Sequence, residues 1–240
     1  MARAGLSGER LALAGAELAD EVGFDQVTVS AVARRFGVQV ASLYSHVRNS
    51  DDLKTRIATV ALTELADQAA DAVAGRAGRD ALVALADVYR AYAQHHPGRY
   101  TASRHTPTTS TPPASTPFTS TSSTSTPPTS PAARPAAGAP QEPASGHHRR
   151  IPSSSVLGTE YVAAGKRHSE LLRAVLRAYE LDEPAQTDAV RLLGSVIHGY
   201  VSLELAGAFA YSAPDSAGSW TRIVDSLDFL LHNWPERHPS

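Results

Sequence analysis

The sequence predicts an all-α protein, and three observations carry the prediction. Apolar residues recur at i, i+3, i+4 and i+7 in one segment after another, the spacing that places them on one face of a helix. Glycine, proline and small polar residues fall between those segments, where helices start and stop. No stretch shows the alternation of a half-buried strand.

The elements follow in order. Leu11, Ala14, Leu18 and Val22 lie on one face of a helix from about Ser7 to Val22, which Gly23 stops. Thr28 caps a second helix carrying Val29, Val32, Ala33 and Phe36, and Gly37 breaks it after about two turns. A third short helix, about Gln39 to His46, buries Leu43 and Val47. Asn49, with Asp52 three residues on, resembles a capping box for a longer helix past Leu53, Ile57, Val60 and Leu65. Another spans about Gly78 to His96 and ends at Pro97. Helix resumes near Thr159, with Leu172, Val175, Leu176 and Tyr179 in one stripe. From Asp188 to Tyr211 the chain is apolar on nearly every side, which predicts burial all round. A last helix, about Ser216 to Trp234, presents Ile223, Leu227, Leu230 and Leu231.

Residues 101–154 stand apart. Thr, Ser, Pro and Ala dominate them, and Phe118 is their only large apolar residue before Ile151. Such a segment buries too little surface to offset ordering entropy of about 1–2 kcal/mol per residue. It reads as a disordered insertion interrupting one helical domain, rather than as a linker between two. Two origins stay open, a genuine insertion or a frame error in the coding sequence. The organisation is then a helix-turn-helix domain over 1–53, a helical regulatory domain over 54–100 and 155–235, and the insertion over 101–154.

Composition excludes several classes. The 240-residue chain has a net charge of −2, so any attraction to nucleic acid must be local. It has no cysteine, hence neither a disulfide framework nor a thiolate metal site. No secretory leader is recognisable, and no run approaches the roughly 20 apolar residues of a membrane span. His95-His96 and His147-His148 lack the i, i+4 spacing of helical metal ligands, so no metal or other cofactor is expected. No Gly-x-Ser-x-Gly elbow, phosphate loop or His-Glu-x-x-His is present, so the chain is not expected to be an enzyme.

The local charge signal lies at the short helices. No acidic residue occurs between Gln26 and Ser50, although the chain as a whole is slightly acidic. Two short helices joined at a glycine form a helix-turn-helix, whose second helix enters the major groove. With Leu43 and Val47 turned inward, the outer face of that helix presents Gln39, Val40, Ser42, Tyr44 and Ser45. Carboxylates there would repel phosphates. The same pattern occurs in helical bundles that bind no DNA, so the two readings have even weight on pattern alone.

The words AELADEVGFDQVTVSAVARRFGV and SLYSHVRNSDDL add a resemblance. Residues 7–53 resemble the DNA-binding domain of TetR/AcrR-family transcriptional regulators, with Gly-Phe after the first helix, Thr before the second, a Gly-Val turn and Leu-Tyr-x-His. The resemblance implies phosphate contacts from Thr28, Tyr44 and His46, and base-edge contacts from Gln39, Val40, Ala41 and Ser42. Many relatives carry Ser-Lys at Gln39-Val40 and a lysine at Ser50. Losing both cations weakens nonspecific affinity and its salt dependence, with Lys54, Arg48 and Arg35 as partial compensation. HPGRY at 96–100 and VIHGYVSLELAGAF at 196–209 resemble the ligand-binding domain of the Trp-His-Gly subgroup, although no tryptophan precedes His198-Gly199. In relatives the last two helices, here about 188–211 and 216–234, pair in a dimeric four-helix bundle, and an apolar pocket takes a small effector.

Tyr89, Tyr92, Tyr100, His198, Tyr200 and Trp220 are the pocket candidates, each weighed against the simpler role of a packed core residue. The expected function is a cytoplasmic, ligand-responsive homodimeric repressor, nucleoid-associated when bound to a pseudo-palindromic operator. Its partners would be double-stranded DNA, a second copy and a small molecule, with no membrane. The alternative is a helical small-molecule-binding protein or enzyme that has lost DNA binding.

Overall fold

The computed structural model describes residues 6–107, 154–211 and 213–235, and the side chains of these from 158 onward in the second segment. Among them are nine α-helices and no strand: α1 (Gly8–Val22), α2 (Val29–Phe36), α3 (Val40–Leu43), α4 (Ser50–Val73), α5 (Gly78–His95), α6 (Pro97–Ser103), α7 (Ser154–Leu176), α8 (Glu183–Leu205) and α9 (Ser216–His232). The expected insertion lies outside the described residues from 108 to 153. Its expected edges shift, because α6 runs through Ser103 with Ala102 and Ser103 buried, and α7 begins at Ser154 rather than near Thr159.

The helix ends follow from local chemistry. Ser7 Oγ accepts the Arg10 N–H at 3.2 Å and starts α1, and Thr28 Oγ1 accepts the Ala31 N–H at 3.1 Å and starts α2. Gly37 ends α2 in the left-handed region at φ 64°, where a side chain would be strained. The capping box before α4 is only half made. Asn49 Oδ1 accepts the Asp52 N–H at 2.8 Å, but the Asp52 carboxylate turns to the Arg48 N–H at 3.1 Å instead of to Asn49. Val22, expected on the buried face of α1, is 49% exposed and borders an open depression with Ala31 and Arg34.

Two cores result. Leu11, Val32, Leu43, Val47, Leu53 and Ile57 form the first, around α1–α3 and the start of α4. Leu65, Leu85, Tyr89, Leu176, Leu193 and Trp220 belong to the second, among α4, α5 and α7–α9. Only α4 and α6 supply residues to both; from α6, Ala102 enters the first core and Tyr100 the second. The predicted all-round burial of the penultimate helix does not hold in the single chain. Leu203 is 51% exposed and Leu205 39%, so the C-terminal end of α8 is not covered on every side.

α6 seats against α1 at backbone distance. A Cβ at Gly98 would fall 1.9 Å from the Ala19 carbonyl oxygen, so only glycine fits there. Asp20, on α1, accepts the Arg99 N–H at 2.9 Å and so caps α6 from another element. His96 Nδ1 donates to the same carboxylate at 3.1 Å. Arg99 then reaches on to Glu64 of α4, with its Nη1 at 3.0 Å. Because the obstruction is backbone, Gly98→Ala should destabilise the protein by about 3 kcal/mol, the upper end for overpacking. Chemical denaturation with helicity as readout measures this; an unchanged midpoint would mean that α6 moves freely against α1.

Candidate nucleic-acid interface and effector cavity

α2 and α3 form the helix-turn-helix, and α3 is shorter than the sequence suggests. It is one turn, Val40–Leu43, where about Gln39 to His46 was expected. Tight i→i−3 bonds replace the α-helical ladder at both ends, Ser42 N–H to Gln39 at 2.9 Å and His46 N–H to Leu43 at 2.8 Å. Ser45 Oγ donates to the Ser42 carbonyl at 2.7 Å, competing with the backbone for that acceptor.

Leu43 and Val47 are fully buried, which fixes the outward face. Gln39, Ala41, Ser42, Tyr44 and Ser45 are exposed, and so is Thr28. Val40 and His46 are half-buried, and Val40 packs against the first core rather than standing free. Thr28 accepts at the α2 cap through its oxygen, which leaves its hydroxyl hydrogen to donate elsewhere.

The cations expected to compensate for the missing lysines are engaged within the chain. Arg35 pairs with Glu21 at 2.7 Å and with Glu17 at 2.9 Å. Arg48 pairs with Asp52 at 2.7 Å, and Arg56 holds the other Asp52 oxygen at 3.1 Å. Burial alone would raise the Asp52 carboxyl, but hydrogen bonds from Arg48 and Arg56 outweigh it and hold the group below the usual carboxylate range. The Lys54 ammonium lies 5.1 Å from the centre of the Phe24 ring. Arg34, by contrast, is exposed with no ion-pair partner among the described residues. It escaped the sequence reading of site residues because an arginine at the end of a short helix looks like any solvated charge.

A cavity of about 320 Å³ opens in the second core among α4, α5, α6, α7 and α8. Leu62, Leu65, Leu172 and Val190 supply an apolar wall, and Tyr89, Ser103, Arg104, His168 and His198 supply the polar groups. Of the six pocket candidates read from the sequence, Tyr89 and His198 line this cavity. Tyr92 and Trp220 do not: Tyr92 donates to Glu64 at 3.0 Å, and Trp220 Nε1 donates to Asp87 at 2.7 Å. Tyr200 donates to the Ser216 carbonyl at 2.5 Å, and Tyr100 reaches the cavity through His198.

Each of the two imidazoles is bonded to a tyrosine. His168 Nε2 meets the Leu62 carbonyl at 2.8 Å, and a carbonyl only accepts, so Nε2 carries the hydrogen. Nδ1 is then a bare lone pair that takes the Tyr89 O–H at 2.5 Å. Burial pushes Tyr89 up and His168 down, which keeps both groups neutral. Tyr100 Oη lies 2.6 Å from His198 Nδ1. Burial, with Arg104 as a smaller contribution, pushes His198 down to about 4. His168, Ser103 and Arg104 were not found from sequence. His168 sits on a helix face without a motif, and Ser103 and Arg104 fall in the stretch that composition marks as insertion.

Comparison with known proteins accords with this geometry. Residues 12–54 match the model for bacterial regulatory proteins of the tetR family, and residues 148–227 match that for the tetracyclin repressor-like C-terminal domain. The chain belongs to the TetR family. It is a DNA-binding transcriptional regulator of the helix-turn-helix type. It is similar to the uncharacterized HTH-type transcriptional regulator Rv0681 of Mycobacterium tuberculosis, 28% identical over 84% of this chain and 72% of that one. It is also similar to the uncharacterized HTH-type regulator YobS of Bacillus subtilis, 36% identical over 42% of this chain and 53% of the relative. Solved structures share the fold: apo ActR from Streptomyces coelicolor has a TM-score of 0.57 at 15% identity, covering 97% of each chain. A TetR from Acinetobacter baumannii AYE in complex with minocycline has a TM-score of 0.58 at 17% identity, covering 97% of this chain and 100% of that one. Among the described residues of this TetR-family chain, no helix is long and apolar enough to cross a membrane.

The low pKa of His198 makes a stability prediction. An unfolded histidine titrates near 6.5 and the folded one near 4, so between those values the unfolded chain binds the extra proton. Stability should therefore fall as pH drops from about 6.5 to about 4, by up to about 1.4 kcal/mol per pH unit from this residue. His198→Gln should flatten that slope in denaturation midpoints taken across the window, and an unaltered slope would assign the dependence to other groups.

Proposed function

We propose that this regulator is a homodimeric, ligand-responsive repressor in the cytoplasm, with no catalytic step of its own. Two copies would set α3 of each into successive major grooves of a pseudo-palindromic operator, with half-sites about 34–36 Å or a multiple apart. α1–α3 form the DNA-binding part in this reading and α4–α9 the regulatory part, which we assign to the Trp-His-Gly subgroup on His198-Gly199. Thr28, Tyr44 and His46 would meet phosphates, with Lys54 nearby. Gln39, Ala41, Ser42 and Ser45 would face base edges, with half-buried Val40 at their margin. The exposed, carboxylate-free face of α3, set by the burial of Leu43 and Val47, carries the reading.

Exposed apolar side chains on α8 and α9 support the dimer. Leu203 and Leu205 on α8, and Phe229 at 70% exposure with Leu230 on α9, are a cost in water that a second copy removes. The cavity supports ligand response through α6. Ser103 and Arg104 at the end of α6 border the cavity, and its start is bonded to Asp20 of α1. A ligand that favours one placement of α6 would bias the spacing of the DNA-binding parts through its differential affinity, typically by about 1–3 kcal/mol.

Selection of the purified protein against a random duplex pool, followed by sequencing, tests the reading. Enrichment of a two-fold symmetric site is the expected result; no enrichment from a folded dimer would favour a bundle that binds small molecules without DNA. On the selected site, Tyr44→Phe should weaken binding by about 1 kcal/mol and equally across sequence variants, as loss of a phosphate contact does. A loss confined to one base pair would assign Tyr44 to base readout. Phe229→Glu should shift the sedimentation coefficient from dimer to monomer with helicity retained; a persistent dimer would move the interface elsewhere.

A further inference from the structure

The effector cavity is lopsided in charge. Among the described residues Arg104 is its only ionised lining residue, since no described Asp or Glu borders it and both histidines are held neutral. Arg104 also differs from several arginines of this half, whose charge is already met. Arg79, Arg90, Arg99 and Arg167 each pair with a carboxylate. Arg104 has only the Ser202 hydroxyl, at 2.5 Å from Nη1, and no carboxylate among the described residues. Its remaining donors form the planar fork that suits a carboxylate.

We propose that the cavity takes an organic anion, a carboxylate on a compact apolar body, with the carboxylate on Arg104 and His198 and the body against Leu62, Leu65, Leu172 and Val190. This rests on the reading of the cavity as the effector site. The polar groups are disposed for it. Tyr100 is buried, and in the tautomer where its hydroxyl donates to His198 Nδ1 the His198 hydrogen lies on Nε2, where it would be offered to an anion. The Tyr89–His168 pair is closed on itself and on Leu62, so it packs against the ligand without competing for its charge. Arg104 stands exposed at the mouth, so pairing it requires little desolvation of the guanidinium. An ammonium ligand would meet like charge and no acceptor carboxylate. The volume, about 320 Å³, lies at the small end for ligand sites. The carboxylate also ties Arg104, at the end of α6, to His198 on α8, so the anion would act on the element bonded to α1.

Calorimetric titration of the full-length protein tests this with two matched probe sets: octanoate, octanamide and octylamine, then phenylpropanoate with its amide and amine. Each acid should bind about ten-fold or more tighter than its amide, with the amine weakest. Arg104→Gln should erase the preference for acid over amide, and Arg104→Lys should restore part of it. The proposal is overturned if amides match acids, if Arg104→Gln leaves the preference intact, or if no probe binds saturably. DNA binding by the same preparation is scored separately on the selected duplex. Its loss would sink the regulator reading while leaving the acid preference standing, and the reverse failure would do the opposite.

Discussion

The contact between Gly98 and the Ala19 carbonyl is the constraint on which the rest of the molecule depends. Two cores of different make-up must be held in one relation, and the chain does this with a seven-residue helix wedged at backbone distance against α1. Close backbone approach alone would leave polar groups without water. Asp20 resolves this by capping α6 and pairing with His96 and Arg99, and Arg99 continues the chain of charges to Glu64 on α4. Arg99 Nε sits 3.1 Å from Asp20 as an ion pair without hydrogen-bond alignment. A well-packed joint of this kind has few intermediate positions, which would suit the two placements of α6 that the proposed ligand response requires.

Much of the architecture was legible because helices announce their ends. Ser7, Thr28, Gly37 and Pro97 each do in the structure what their chemistry suggests locally. Position relative to distant elements was not legible. Asp52 reads as half of a capping box because its true partners, Arg48 and Arg56, depend on how α4 enters the first core. Val22 has the right phase for burial, but phase does not tell whether a neighbour lies above the last turn. Composition misled at 101–107: Thr, Ser and His next to a low-complexity run look like part of it, although Ala102 belongs to a core.

The site divides in the same way. The outward residues of α3 follow from the two buried ones, so the face was readable from spacing. The cavity was not, because it is assembled from five helices far apart in sequence. Its polar end needs Tyr89, His168, Tyr100 and His198, whose pairings join α5 to α7 and α6 to α8. A lone buried histidine suggests a partner without naming it. Only the three-dimensional arrangement fixes which nitrogen is free.

The engagement of Arg35, Arg48 and Lys54 inside the chain bears on how this regulator finds its target in a genome. Loose phosphate contacts let a protein slide along DNA, and they also hold it on the vast excess of wrong sequence. A domain that keeps these cations on Glu17, Glu21, Asp52 and Phe24 gives up much of that one-dimensional search. In exchange, fewer copies are titrated away by bulk DNA. In the proposed dimer, occupancy of a site would then rest on the short face of α3 and on the joining of two such faces, so a modest number of molecules could be shared among few, well-matched sites.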